Sequence, residues 1–174
     1  DSTGICFIGE RDFKAFLQNY IPATPGPMQT LDGKKMGMHS GTMYYTIGQR
    51  HGLGIGGPGE AWFVIGKNTQ ENILYVGQGK KHPYLFSNKA IITDVNWIGK
   101  PFEGDRDVHV KFRYRQPDIK ASIRFIKENT IEVNYPQKAK AVTPGQAAVF
   151  YDGEQLIGGG TIDKVFFYDE LRKY

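Results

Sequence analysis

One cysteine, Cys6, is the entire thiol content of the 174 residues. A single thiol closes no internal disulfide, so a disulfide-stapled scaffold is excluded and a reducing cytoplasm is the default. No apolar run approaches the roughly 20 residues of a membrane-spanning helix, and nothing reads as a signal peptide. No membrane partner is expected. His39, His51, His82 and His109 show no metal-ligand spacing with Cys6 or with one another, so no metal is expected. No Ser/His/Asp arrangement stands out. Charge of one sign is also scarce: the net charge is +4 with a pI near 9.0. That is basic enough to accept a polyanion and too weak to demand one.

Aromatic residues and glycine are plentiful. Ten Tyr, eleven Phe, two Trp and 22 Gly, within a hydrophobic content of 40%, suit a β-rich protein with many tight turns. Residues 7 to 20 are the clearest helix, with Phe7, Phe13, Phe16, Leu17 and Tyr20 near the 3.6-residue period. Pro22 and Pro25-Gly26-Pro27 end it and read as a linker. Short extended runs follow. Met28 to Leu31 and Lys34 to Gly37 flank Asp32-Gly33, a hairpin signal. Trp62 to Gly66 and Ile73 to Gly77 read as a second hairpin. From about Leu85, candidate strands at 89–97, 107–115, 119–127, 130–135, 147–151 and 155–168 have no helix between them. Glu128-Asn129 and Asp152-Gly153 supply tight turns. Regular spacing of this kind predicts an antiparallel six-stranded barrel. The expected class is mainly β: a short N-terminal helix segment over 1–27, a small central β domain over 28–84 and a C-terminal β-barrel over 85–174.

Five features could carry chemistry. Cys6 is a buried hydrophobe, a metal ligand with outside help, or a reactive thiol. Gly4 and Gly9 permit its segment to move, and Glu10-Arg11 open the helix beside it. Gly52-Leu53-Gly54-Ile55-Gly56-Gly57 invites a dinucleotide reading. Polar residues precede it and Pro58-Gly59 follow, where the fingerprint needs a buried strand and a helix, so a structural loop is the better reading. Gln49-Arg50-His51, just before it, are placed to meet RNA or a site rim. Alternation on the strand ending at Arg113-Tyr114-Arg115-Gln116 puts two cations on one face and an aromatic on the other. That suits phosphates and a stacked base, or else a solvated strand end with Tyr114 half-buried. Thr143-Pro144-Gly145-Gln146 is a type II turn with Gln146 free to bond.

These motifs together resemble one family. The stretch Asp1 to Arg11 around Cys6 is similar to the second catalytic-cysteine motif of the bacterial tRNA-specific 2-thiouridylases. Leu31-Asp32-Gly33, Met43 to Arg50, Gly52 to Gly57, Phe112 to Gln116, Val142 to Ala147 and Gly158-Gly159-Gly160 follow in that family's order. The resemblance runs from the first residue to about Asp163. It implies the C-terminal portion of an ATP-dependent tRNA sulfurtransferase that makes 2-thiouridine at the anticodon wobble position. It implies Cys6 as a persulfide carrier, loaded by a sulfur-relay donor protein and resolved as a disulfide by a cysteine of the N-terminal half. It implies Arg113, Tyr114 and Gln146 as tRNA contacts, with Gln49 and Arg50 as further candidates. The barrel would be of the kind found in translation factors. The family's ATP-binding loop, Ser-Gly-Gly-Val-Asp-Ser, does not occur here. ATP therefore belongs on an N-terminal domain outside this sequence, and the chain alone is expected to be an inactive monomer. Two rival readings remain: a free-standing RNA-binding barrel without chemistry, and a flavin- or nucleotide-binding split barrel.

Overall fold

The computed structural model describes residue 16 and residues 19–99, 104–114 and 116–172. Cys6 and all but three residues of the helix expected over 7 to 20 lie outside the described residues. The chain divides into two compact units, Asp1–Gln78 and Gly79–Tyr174.

The first unit holds a four-stranded sheet. Strand β1 (Gly26–Gln29) pairs antiparallel with β2 (Lys35–His39), and β3 (Trp62–Asn68) with β4 (Ile73–Gln78). Both expected hairpins are present. Gly33 sits at φ 88 in the first turn, where the Gly33 amide donates to the Thr30 carbonyl at 3.0 Å. A parallel pairing of β1 with β4, Met28 opposite Leu74, joins the hairpins in the order β2-β1-β4-β3. Sequence spacing gave no sign of it. Val64, Ile65, Leu74 and Val76 are fully buried and form the sheet's apolar centre. His39, also buried, stitches the edges. Its Nδ1 accepts the Gly41 N–H, which leaves Nε2–H to donate to the Asn72 carbonyl at 2.9 Å.

The second unit is the barrel. Its strands are β5 (Phe86–Trp97), β6 (Arg106–Lys111), β7 (Ile119–Lys127), β8 (Thr130–Lys140), β9 (Ala147–Asp152) and β10 (Gln155–Phe167). The order runs β10-β5-β8-β7-β6-β9, and β9 pairs back onto β10, so six antiparallel strands close. A two-residue strand, β11 (Glu170–Leu171), caps the end of β10. Alternate residues fill the interior: Ile92, Val110, Ile123, Ile131, Val133, Tyr135, Ala148, Phe150 and Ile162 are essentially inaccessible. Full closure leaves no unpaired edge between first and last strand, the usual solution for a sheet this small.

Strand β5 starts three residues earlier than expected, at Phe86, and two strand ends differ by more. Strand β6 stops at Lys111 rather than Arg115, because a turn begins at once: the Gln116 amide donates to the Arg113 carbonyl at 3.1 Å, and Pro117 follows with no N–H for a ladder. The strand alternation expected of Arg113 and Tyr114 is therefore not present. Strand β8 runs on to Lys140, through Pro136. Its pairing with β7 reaches only Asn134, and its register with β5 shifts between Asn134 and Ala139, so the proline falls where no ladder bond is required. Gly158-Gly159-Gly160 explains itself in the same way. A Cβ at Gly158 would lie 2.6 Å from the Asn96 carbonyl oxygen, and one at Gly160 would lie 2.7 Å from the Thr93 oxygen. Strand β10 hugs β5 too closely for side chains there.

Candidate nucleic-acid interface

Two loops meet on one rim of the barrel. The first leaves β6 at Phe112, whose ring is buried and packs 4.9 Å from the Tyr135 ring. That anchor fixes the next two residues. Arg113 turns inward, and its guanidinium donates to the Ala141 carbonyl at 3.0 Å. Tyr114 turns outward and is 93% exposed, where a half-buried ring was the alternative expectation.

The second loop begins at Ala141, held at φ 55, with its amide donating to the Leu85 carbonyl at 2.7 Å. The Thr143 hydroxyl donates to the same Ala141 oxygen that Arg113 uses. The turn that follows has the expected form: Gly145 lies at φ 80 and the Gln146 amide donates to the Thr143 carbonyl. Two further backbone bonds, Gly145 N–H to the Ile162 carbonyl and Ile162 N–H to the Gln146 carbonyl, both 2.8 Å, clamp the turn to β10. With its backbone fixed, Gln146 presents an exposed side chain.

Arg113, Tyr114 and Gln146 are thus carried on two loops tied at one carbonyl. An exposed phenol ring and an exposed amide on one rim suit base stacking and base-edge hydrogen bonding. Arg113 also serves the fold. It is half-buried, and burial draws its pKa below the usual guanidinium value, although an arginine stays charged. Ala141 had no signal in the sequence, because any residue supplies a carbonyl.

Gln49 and Arg50 belong to the other unit. The Gln49 side chain folds its own loop: Oε1 accepts the Thr46 N–H at 3.0 Å and Nε2 donates to the His51 carbonyl at 2.9 Å. Arg50 is exposed beside a hollow of ≈ 450 Å³ walled by His51, Gly52, Gly54, Gly57, Gly59 and Trp62. Strand β3 follows this loop directly, with no helix to receive a pyrophosphate. Arg115 lies outside the described residues, as Cys6 does.

Comparison with known proteins gives this geometry a context. Residues 14–78 match the family model described as tRNA methyl transferase PRC-barrel domain, and residues 87–162 match that of the aminomethyltransferase beta-barrel domain. Over 95% of its length the chain is 59% identical to tRNA-specific 2-thiouridylases of Geobacillus kaustophilus and Geobacillus thermodenitrificans. The chain belongs to the tRNA-specific 2-thiouridylase family. Over its whole length it is 55% identical to the tRNA-specific 2-thiouridylase of Oceanobacillus iheyensis. These alignments cover 45% to 47% of the relatives, so the chain spans about half the length of the 2-thiouridylases it matches.

Proposed function

We propose that this chain is the central and RNA-gripping part of an ATP-dependent tRNA sulfurtransferase that makes 2-thiouridine at the wobble position of anticodons. The observation that carries this reading is the 59% identity to named tRNA-specific 2-thiouridylases across both units. The barrel rim supports it, because Tyr114 and Gln146 offer a stacking face and an amide from two loops tied at the Ala141 carbonyl.

Cys6 is the proposed sulfur carrier. A donor protein's persulfide gives its outer sulfur to the Cys6 thiolate, which leaves the donor as a thiol. The wobble uridine C2 oxygen is adenylated, with ATP as the adenylyl donor bound outside this chain and pyrophosphate released. The outer sulfur of the Cys6 persulfide then attacks C2, and AMP departs with the former C2 oxygen. A second cysteine, also outside this chain, attacks the Cys6 sulfur as a thiolate. That step forms a disulfide and leaves sulfur on C2, and an external thiol reductant resets the enzyme. The cytoplasm supplies such a reductant.

The test uses the full-length protein that contains this chain. Cys6→Ser should abolish 2-thiouridine in tRNA, read by mass spectrometry of digested nucleosides, while the thermal melting profile stays unchanged. Thiolation near the wild-type rate in that variant would refute the assignment.

A further inference from the structure

The barrel carries a second feature next to the rim, on the outer face of β6, β7 and β9. Along β6, Val108 and Val110 enter the core, so Asp107, His109 and Lys111 face outward. On β7, Ala121 and Ile123 point in, and Lys120 and Ser122 point out. On β9, Ala148 and Phe150 point in, and Tyr151 points out. The register sets these outward side chains in rows. His109 lies directly opposite Lys120 on one side and Tyr151 on the other, and Asp107 lies opposite Ser122. The Lys111 ammonium stands 5.8 Å from the centre of the Tyr151 ring. Between the rows is an open hollow of ≈ 410 Å³, bounded by Asp107, His109, Lys120, Ser122, Pro136 and Tyr151.

We propose that this hollow holds one unpaired RNA nucleotide, its base against Tyr151 and His109 and its phosphate at Lys111 and Lys120. The proposal rests on the tRNA-binding reading above and extends it beyond the rim. Its chemistry separates the possible ligands. A protein partner needs an apolar centre to its interface, and Pro136 is the only large apolar side chain among the hollow's outward residues. A nucleotide needs an aromatic face, a cation for its phosphate, and donors and acceptors for the base edge. Tyr151 supplies the first, Lys111 and Lys120 the second, and Asp107, Ser122 and His109 the third. The size lies within the range of small-ligand clefts. Asp107 and Asp152 lie along the hollow away from Lys111, with Asp152 neutralised by its ion pair to Arg106. Continuity fixes the occupant. Lys111 immediately precedes the Phe112–Tyr114 segment, and β9 begins immediately after Gln146. From Lys111 to His109 is two strand residues, about 7 Å, so RNA held at the rim runs directly onto this face.

The experiment is filter binding of a tRNA transcript to the full-length protein at two or more salt concentrations. Tyr151→Leu should weaken binding about five-fold or more at every salt concentration, with the salt slope unchanged, because a stacking contact releases no counterion. The double variant Lys111→Gln/Lys120→Gln should lower the slope by about 1 to 2 and weaken binding ten-fold or more at low salt. Lys164→Gln, an exposed β10 lysine, serves as the charge control and should change neither. Wild-type affinity and slope in the double variant, with Tyr114→Ala still impaired, would overturn this face while keeping the rim. Absence of tRNA binding by the wild-type protein would overturn the underlying reading as well. The double variant changes only outward side chains, so it decides the matter even if Tyr151→Leu fails to fold.

Discussion

Arg113 reaches across the barrel rim to the carbonyl of Ala141 at 3.0 Å, and that one oxygen also accepts the Thr143 hydroxyl. Whatever else it contacts, Arg113 is in the folded chain a fastener between the two rim loops. Arg113→Ala should lower stability by about 1 to 2 kcal/mol, the cost of losing a charged donor at a partly buried acceptor. It should also raise amide exchange over residues 143–146. Arg113→Lys keeps the charge but not the planar fork. It should remain defective in both measurements. A lysine variant with full stability and wild-type amide exchange would show that charge alone matters at this position.

Tyr114 is the converse case. Its ring is almost wholly in solvent, so Tyr114→Ala should leave the unfolding free energy from urea titration within about 0.5 kcal/mol of wild type. If a base stacks on it, tRNA affinity should fall by about 1 to 3 kcal/mol, and Tyr114→Phe should retain most of the binding. Equal binding by all three forms, measured on the full-length protein, would remove Tyr114 from the interface.

His82 gives the barrel unit a pH dependence. Its Nδ1 accepts the Tyr84 N–H at 3.2 Å and so caps the short 3-10 turn Pro83–Leu85. Burial, and secondarily the nearby Arg172 cation, lower its pKa below 6.5. The unfolded chain therefore takes up the proton first as pH falls. This contribution to stability is complete well above pH 6.5 and is lost as pH drops through that value toward the lower folded pKa. His82→Asn keeps a capping acceptor without a titrating group. Urea unfolding at pH 7.5 and 5.5 should show a smaller difference for the variant than for wild type. An identical difference would place the acid sensitivity elsewhere.

Gly160 is fixed by space rather than by dihedral freedom. An added Cβ would meet the Ile92 side chain and the Thr93 oxygen, both at 2.7 Å, so Gly160→Ala should cost about 1 to 3 kcal/mol through forced separation of β10 from β5. Denaturant titration of the purified protein checks this. A neutral result would mean the two strands have slack that their spacing does not suggest.

The barrel was legible in the sequence because alternation of Val108/Val110, Ala121/Ile123 and Ala148/Phe150 against charged neighbours has a period that only strands satisfy. The turn at Thr143 to Gln146 was legible because Pro and Gly dictate its dihedrals. The end of β6 was not, since Arg113 and Tyr114 have the composition of a strand and are drawn out of it by a turn and by one distant carbonyl. Strand β8 was cut short at Pro136 for the opposite reason: a proline breaks a ladder only where a partner strand needs its N–H. The parallel contact of Met28 with Leu74 joins segments with no local signal for each other. The hollow beside Tyr151 depends on cross-strand register, which the sequence of any one strand does not contain.

Closure of the ring by β10 also sets an order of events at the ribosome. The sheet of β1 to β4 needs only residues 26–78 and can assemble while the rest of the chain is still being made. The barrel cannot do the same. Strand β9 meets β10 across a tight turn, but β5 waits for β10, some 70 residues later. Contacts this distant in sequence form slowly. A nascent chain that stops short of Gln155 carries two open strand edges, and its hazard is pairing with a neighbouring nascent chain.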